Sequence, residues 1–178
     1  MASLGQRMVG AMQGNAATFE EIEHDQSAMG QAVTVIIIAG VAALIGNIFR
    51  AGITAGMFAL IASLVVYAIW AVIVTLVGTK LMPEPQTKAD FAETFRTIAF
   101  AASPGVFNVL AIIPFLGPLI SFAISLWSLV IMVIAVKVVL DYSNYGRAII
   151  VVIIGWIVSW IVWFLIMIPY MGARMMMG

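Results

Sequence analysis

The sequence predicts an all-α integral membrane protein: a polytopic helical bundle of about five transmembrane helices, with short amphipathic surface helices. Of its 178 residues, 64% are hydrophobic and only 9% are charged. The charged residues lie in short bands that frame uncharged runs of 24, 29, 40 and 26 residues, at positions 26–49, 51–79, 97–136 and 148–173. A transmembrane helix needs about 20 consecutive apolar residues, so each run is long enough to cross a bilayer.

The first two runs predict one helix each. The first span is predicted at 29–48, where β-branched residues precede small ones, and Arg50 closes it. The second span is predicted at 53–77. Asn47 and the segment 52–56 (Gly-Ile-Thr-Ala-Gly) indicate the connection, because glycine and asparagine favour turns.

The 40-residue run predicts two helices, since one helix of that length would measure about 60 Å, roughly two hydrocarbon cores. The stretch 114–118 (Pro-Phe-Leu-Gly-Pro) cannot continue a helix and predicts the turn. The resulting spans lie at about 91–113 and 119–139. The first of them is interrupted by Ser-Pro-Gly at 103–105, so a re-entrant or surface helix is the alternative there.

A fifth span is predicted at 148–168, ending at Pro169. With five spans, six basic residues lie on the side of the N-terminus and two on the other, whereas four crossings divide them five against three. Basic residues accumulate in cytoplasmic loops. The larger asymmetry therefore predicts a multi-pass protein of the cell membrane with the N-terminus in the cytoplasm and the C-terminus outside. The six are Arg7, Lys80, Lys88, Arg96, Lys137 and Arg147, and the two are Arg50 and Arg174.

The composition argues against several functions. A formal net charge of zero does not favour nucleic-acid binding, which needs a basic face. The absence of cysteine excludes thiolate chemistry. Apart from Glu93, in the first turn of the third span, no Asp, Glu or His lies within the predicted spans, whereas coupled transporters place such groups mid-membrane. No catalytic or phosphate-binding motif is present. We therefore expect no enzyme and no cofactor, and a transporter or channel is the least favoured membrane function.

Three polar segments carry most of the remaining information, at 18–27, 78–96 and 137–147. Residues 1–28 are predicted to form a cytoplasmic tail with an amphipathic helix, ahead of a transmembrane bundle at 29–178. In the tail, Thr18 and Glu21 have the spacing of a capping box, and Phe19 and Ile22 share one face. In the second segment, Thr87 is predicted to cap a helix with Asp90 in its first turn.

A series of different short motifs lies along about residues 18–158. They are 18–25, Gly78-Thr-Lys-Leu, Ala89-Asp-Phe, Arg96-Thr, Ser103-Pro-Gly, Ile112-Ile-Pro with Gly117, Leu126-Trp-Ser-Leu, Leu140-Asp-Tyr and Gly146-Arg-Ala. Together they resemble the bacterial branch of the Yip (Ypt/Rab-interacting protein) domain family of five-span membrane proteins. The resemblance implies a helical bundle with a cytoplasmic N-terminal region. Eukaryotic relatives are associated with vesicle traffic and Rab binding, but their long polar cytoplasmic domain is missing here, so a Rab-type GTPase is not an expected partner.

The polar segments predict an ionic cluster on the cytoplasmic rim. Charged groups at helix ends beside hydrocarbon need partners or water, so their pairing is physically favoured. Its purpose is either structural, holding surface helices to the bundle, or functional, forming a docking face. The predicted members are Glu20, Glu23, Lys80, Asp90, Glu93, Arg96, Lys137, Asp141 and Arg147.

Three further sets of residues are candidate sites. Glu20 and His24 lie four apart on one helical face and could ligate a divalent metal, although dipole-favourable solvated charge explains them as well. Gly52 and Gly56 form a GxxxG pattern that permits close helix approach. Trp156, Trp160 and Trp163 form a stripe that faces either lipid or another membrane protein.

These observations predict a non-enzymatic membrane scaffold or organiser of the Yip type. It would recruit a partner, or shape the membrane, through the cytoplasmic face. The alternative is an accessory subunit of a larger membrane complex, such as an energy-transducing or photosynthetic one. The expected partners are membrane lipids and other membrane proteins or further copies of the chain, with no nucleic acid.

Overall fold

The protein is helical throughout the part that the structure, a computed structural model, describes, which comprises residues 2–159 and 161. No strand occurs in that part. The α-helices are α1 (Leu4–Met12), α2 (Ala16–His24), α3 (Met29–Leu76), α4 (Phe91–Phe100), α5 (Gly117–Val139) and α6 (Tyr145–Ser159). A π-helical turn (Val77–Leu81) and 3-10 segments (Gln26–Ala28 and Ser103–Ile112) extend them.

Three stretches are long and apolar enough to cross a membrane: Gln26–Leu81, Phe91–Ile112 and Gly117–Val139. α6 is a shorter apolar helix, and the predicted fifth span at 148–168 continues past the described residues. The predicted class, an all-α membrane bundle with additional short helices, is confirmed.

α3 is a helical hairpin rather than one straight helix. Gly52 has φ +78° and ψ 165°, a conformation that breaks the helix and that glycine adopts without strain. On either side of the break, Gly40 lies against Leu60, and Gly56 lies against Leu44. The two arms therefore run antiparallel, and the break falls inside the segment predicted as the connection.

α4 is the central helix of the bundle. All seven residues from Thr94 to Phe100 are buried, and the helix contacts α2, α3 and α5. Its chain continues through a turn into the 3-10 segment, where Pro104 lies at the position that the sequence marks as an interruption. The segment follows the first arm of α3 in the same direction, since Gly105 contacts Ala39 and Gly46 faces Asn108.

The N-terminal residues form a second hairpin, α1–α2, that packs along α5. The chain reverses at Gly14, whose φ is +67°, and Gly14 lies against Ile134 of α5. The indole Nε1 of Trp127 donates a 3.0 Å hydrogen bond to the carbonyl of Met12. α1 was not predicted from the sequence: Leu4, Met8 and Met12 recur at helical spacing, but the helix has only nine residues and two of them are glycines, which lower helix propensity.

Both predicted helix starts are wrong in their capping residue. α2 begins at Ala16 with Asn15 as its cap, so Thr18 lies within the helix and does not form the capping box with Glu21. Asp90, rather than Thr87, caps α4 and forms a capping box with Glu93. Asparagine and aspartate cap at least as well as threonine, so the better-placed residue is used in each case.

The contact between Gly46 and the 3-10 segment predicts a sensitive position. A Cβ at Gly46 would lie 1.8 Å from the backbone oxygen of Asn108, so Gly46→Ala should force the segments apart and cost about 1–3 kcal/mol of stability. Thermal unfolding in detergent measures the change.

Gly30→Ala is the matched control, because a Cβ at Gly30 meets nothing within 4 Å and alanine has the higher helix propensity. Equal unfolding temperatures for Gly46→Ala and Gly30→Ala would contradict the close packing of these two segments.

Candidate functional site

The polar segments 78–96 and 137–147 are joined at one end of the bundle. We call this end, which also includes segment 18–27, the polar end. The hydroxyl of Thr87 donates to the carbonyl of Leu140 at 2.7 Å, and the Gln86 side chain donates to the carbonyl of Asp141 at 2.8 Å. The Tyr142 hydroxyl donates to the carbonyl of Met82 at 2.9 Å. Because backbone carbonyls accept these bonds, the two segments are held at defined positions.

Arg147 anchors this junction through Glu84, a residue absent from the predicted cluster. Its Nε lies 3.2 Å from Oε1 of Glu84, and its Nη1 donates to the carbonyl of Pro83 at 3.1 Å. The other Glu84 oxygen accepts the backbone N–H of Ser143 at 2.9 Å. This hydrogen bond is the largest cause of a lowered pKa of Glu84, so the carboxylate remains ionised.

Arg7 forms a second ionic anchor that sequence reasoning also missed. Its side chain is 1% exposed and ion-paired with Glu21 at 2.9 Å and with Asp25. It also donates to the Gln31 side chain at 3.0 Å, so one guanidinium joins α1, α2 and the start of α3. Bonds from Ser27 and then Arg7 lower the pKa of Asp25 to about 2, and Arg7 lowers that of Glu21.

Arg96 binds a backbone carbonyl instead of a carboxylate. It is buried within α4, and its Nη2 donates a 2.6 Å hydrogen bond to the carbonyl of Glu23 in the last turn of α2. A cation is favourable there because carbonyl groups at a helix C-terminus are unpaired and partly negative. The bond fixes α2 on the central helix.

The acidic members of the predicted cluster lie near one another without cationic partners. No ion pair within 4.0 Å forms between any described basic residue and Glu20, Glu23, Glu93 or Asp141, although the Glu23 side chain is buried. Burial, followed by the negative charge of Asp141, raises the pKa of Glu23 to about 7, and Glu93 and Glu20 act in the same direction. We call these four residues the acidic group.

The other predicted members are placed individually. The Lys137 ammonium lies over the Tyr145 ring, 5.2 Å from its centroid, in a cation–π contact. Asp90 is occupied as the cap of α4, and Lys80 is exposed in the π-helical turn. The predicted charges thus meet at one end, but their partners are mostly backbone groups and residues outside the predicted set.

The metal candidates Glu20 and His24 are joined by a hydrogen bond between the His24 ring and the Glu20 backbone. Nδ1 of His24 lies 2.8 Å from the backbone carbonyl of Glu20, so that nitrogen is engaged by the helix itself. Within residues 2–159 and 161, no group of three or more potential ligand side chains could hold a metal ion.

The predicted packing residues have separate positions. Gly56 faces Leu44 of the same chain, which makes its close contact part of the α3 hairpin, and Gly52 forms the break. Trp156 is 57% exposed on α6. Trp160 and Trp163 lie outside the described residues.

The Arg7 contacts predict that this residue holds the N-terminal hairpin in place. Arg7→Met removes the cation shared by Glu21 and Asp25, so limited proteolysis within residues 1–28 should become roughly tenfold faster. Glu20→Gln is the control, because Glu20 is exposed and not ion-paired. Unchanged cleavage of Arg7→Met would show that apolar contacts alone hold the hairpin.

The acidic group predicts that stability falls as pH rises. The pKa of Glu23 is raised to about 7 in the folded protein from 4.5, so its contribution is fully present below about pH 4.5 and is lost as pH rises through 7. The free energy of unfolding should therefore be about 1–3 kcal/mol lower at pH 8 than at pH 5.

Glu23→Gln should remove most of that fall when unfolding is followed by denaturant titration across this pH range. The pKa of His24 is also raised, chiefly by its bond to Glu20, and its contribution has the same sign, so His24→Gln accounts for the remainder. A Glu23→Gln protein with the wild-type pH profile would exclude Glu23 as the cause.

Comparison with known proteins gives one match. The family model of the Yip1 domain matches residues 10–167, which include most of the N-terminal hairpin, the α3 hairpin, the central helix and the polar end. No curated protein and no solved structure matches the chain. Because the family model covers nearly the whole sequence, the chain belongs to the Yip1 domain family of membrane proteins.

Proposed function

We propose that the chain crosses the membrane five times, with the polar end in the cytoplasm. Hydrogen bonds join the second end of the α3 hairpin, the start of α4 and the loop between α5 and α6 at the polar end. The first end of the hairpin is tied to α1 and α2 there through the bond from Arg7 to Gln31. Turns at 52 and 113–117 lie at the opposite end, where Arg50 approaches Gly117. This arrangement supports two crossings by α3 and one each by 91–112, α5 and α6.

We further propose that the protein is a non-enzymatic membrane scaffold whose polar end recruits a partner with a basic surface. The carrying observation is the distribution of charge at that end. All eight acidic residues of the chain lie there, in segments 20–25, 84–93 and 141. Three of the basic residues beside them bind other parts of the chain. Arg7 and Arg96 are buried, and Arg147 is paired with Glu84.

The acidic group gives this surface a physical reason to bind. Like charges close to one another raise each other's electrostatic energy, and an approaching cation relieves it. Complementary charge also accelerates association and selects among partners. The Yip1 domain is not that of a known enzyme family, which supports recruitment rather than catalysis.

The alternative, an accessory subunit of a larger membrane complex, would use the apolar side of α6. Ile149, Ile153 and Ile157 are between 44% and 51% exposed there. Lipid covers such a surface equally well, so this exposure alone does not favour a protein neighbour.

A gentle-detergent pull-down, sized by native gel with mass spectrometry, tests the proposal. Glu20→Lys combined with Asp141→Asn should abolish recovery of a soluble partner while the protein still inserts in the membrane. Asparagine is chosen because residue 141 has φ +52°, which asparagine tolerates.

Lys80→Glu combined with Lys88→Glu is the matched control. It adds negative charge to the same end and should retain or strengthen recovery. Stoichiometric recovery with a large membrane complex, unaffected by either pair of substitutions, would overturn the scaffold proposal and support the accessory subunit.

A further inference from the structure

The end of the bundle opposite the polar end contains an apolar notch with a single charged residue at its edge. The notch has a volume of about 280 Å³ and lies between the end of the first α3 arm and the turn before α5. Its lining includes Gly46, Phe49, Ile112, Ile113 and Phe115, together with Arg50. The notch is therefore an apolar recess with one cationic group.

Among the described residues, no carboxylate lies within ion-pair distance of Arg50. All eight acidic residues of the chain lie at the polar end, and no ion pair of Arg50 forms within the described residues. Its Nη2 donates a 2.5 Å hydrogen bond to the side-chain oxygen of Asn47, and the side chain is exposed. A guanidinium carries five N–H donors, so most of those of Arg50 have no hydrogen-bond partner among the described residues.

Two phenylalanines line the same notch as this cation. Phe115 is fully exposed and Phe49 is 85% exposed. The turn that presents Phe115 is closed by hydrogen bonds from Leu116 N–H to the carbonyl of Pro114 at 2.8 Å and from Gly117 N–H to that of Ile113 at 3.0 Å. The surface thus offers a cation to an anion and, beside it, aromatic and aliphatic groups to a hydrocarbon chain.

We propose that this notch binds a phospholipid, with Arg50 holding the phosphate and the apolar lining contacting an acyl chain. Guanidinium and phosphate form strong charge-assisted hydrogen bonds, frequently bidentate. A free phosphate would gain nothing from Phe49, Ile113 and Phe115, whereas an amphiphile uses both parts of the site. The inference rests on the proposed crossing topology, which brings this end to a membrane surface.

Native mass spectrometry of the full-length protein after delipidation tests the site. The probes are phosphatidylglycerol, a diacylglycerol with the same acyl chains, and inorganic phosphate. Wild type should bind phosphatidylglycerol about tenfold more tightly than diacylglycerol, and Arg50→Gln should lose that preference. Arg50→Lys should retain part of it, because the charge remains without the bidentate geometry.

Lys88→Gln is the matched control, since it removes one exposed cation from the opposite end and should leave lipid binding unchanged. Equal binding of phosphatidylglycerol by Arg50→Gln and wild type would overturn the proposal. So would equal affinity for diacylglycerol, or competition by millimolar inorganic phosphate, which would show that the lipid chains are not recognised.

A separate measurement isolates the topology. The chain has no cysteine, so Thr54→Cys provides a unique thiol at an exposed position four residues after Arg50. In proteoliposomes, a membrane-impermeant maleimide should label it from one side. Failure to label would overturn the crossing proposal, whereas labelling with unaltered lipid binding by Arg50→Gln would overturn the phospholipid site alone.

Discussion

The hydrogen bond from buried Arg96 to the carbonyl of Glu23 is the interaction on which the rest of the polar end depends. A cation inside a helical core is costly unless its donors are satisfied, and here the C-terminus of α2 satisfies one of them. The bond therefore requires the N-terminal hairpin to pack on the central helix. That packing in turn brings the Glu23 side chain towards Glu93 and Asp141.

The arginines and the acidic residues of this end differ in what they bind. Arg7, Arg96 and Arg147 each join segments distant in the chain, through carboxylates or carbonyls that they reach from partly or fully buried positions. Of the carboxylates that no arginine binds, Glu20 and Asp141 are exposed, whereas Glu23 is buried. Three of the eight basic residues thus hold the chain's own segments together, while Lys80 and Lys88 are exposed at the same end as Glu20 and Asp141.

The sequence predicts best what depends on local pattern. Charge-framed runs and the Pro114–Pro118 turn are such patterns, and they identified the helical class, the break near Gly52 and the start of α5. Partners far apart in the chain leave no such pattern: Arg7 joins α1 to α2 and α3, and Arg147 reaches Glu84. The predicted caps Thr18 and Thr87 are wrong because each has a neighbour, Asn15 or Asp90, that can also cap a helix. Which of two suitable residues caps the helix depends on where the backbone becomes helical.

The depth of the N-terminal hairpin has a consequence for the lipid around the protein. Trp127, which holds its tip, lies twelve residues before the end of α5, a distance of about 18 Å along that helix. If α5 crosses the bilayer as proposed, the hairpin adds cross-sectional area to the cytoplasmic leaflet and none to the other. The part of the chain that the structure describes is then wider on the cytoplasmic side, and such a shape is better accommodated where that leaflet is expanded, on membrane that bulges towards the cytoplasm.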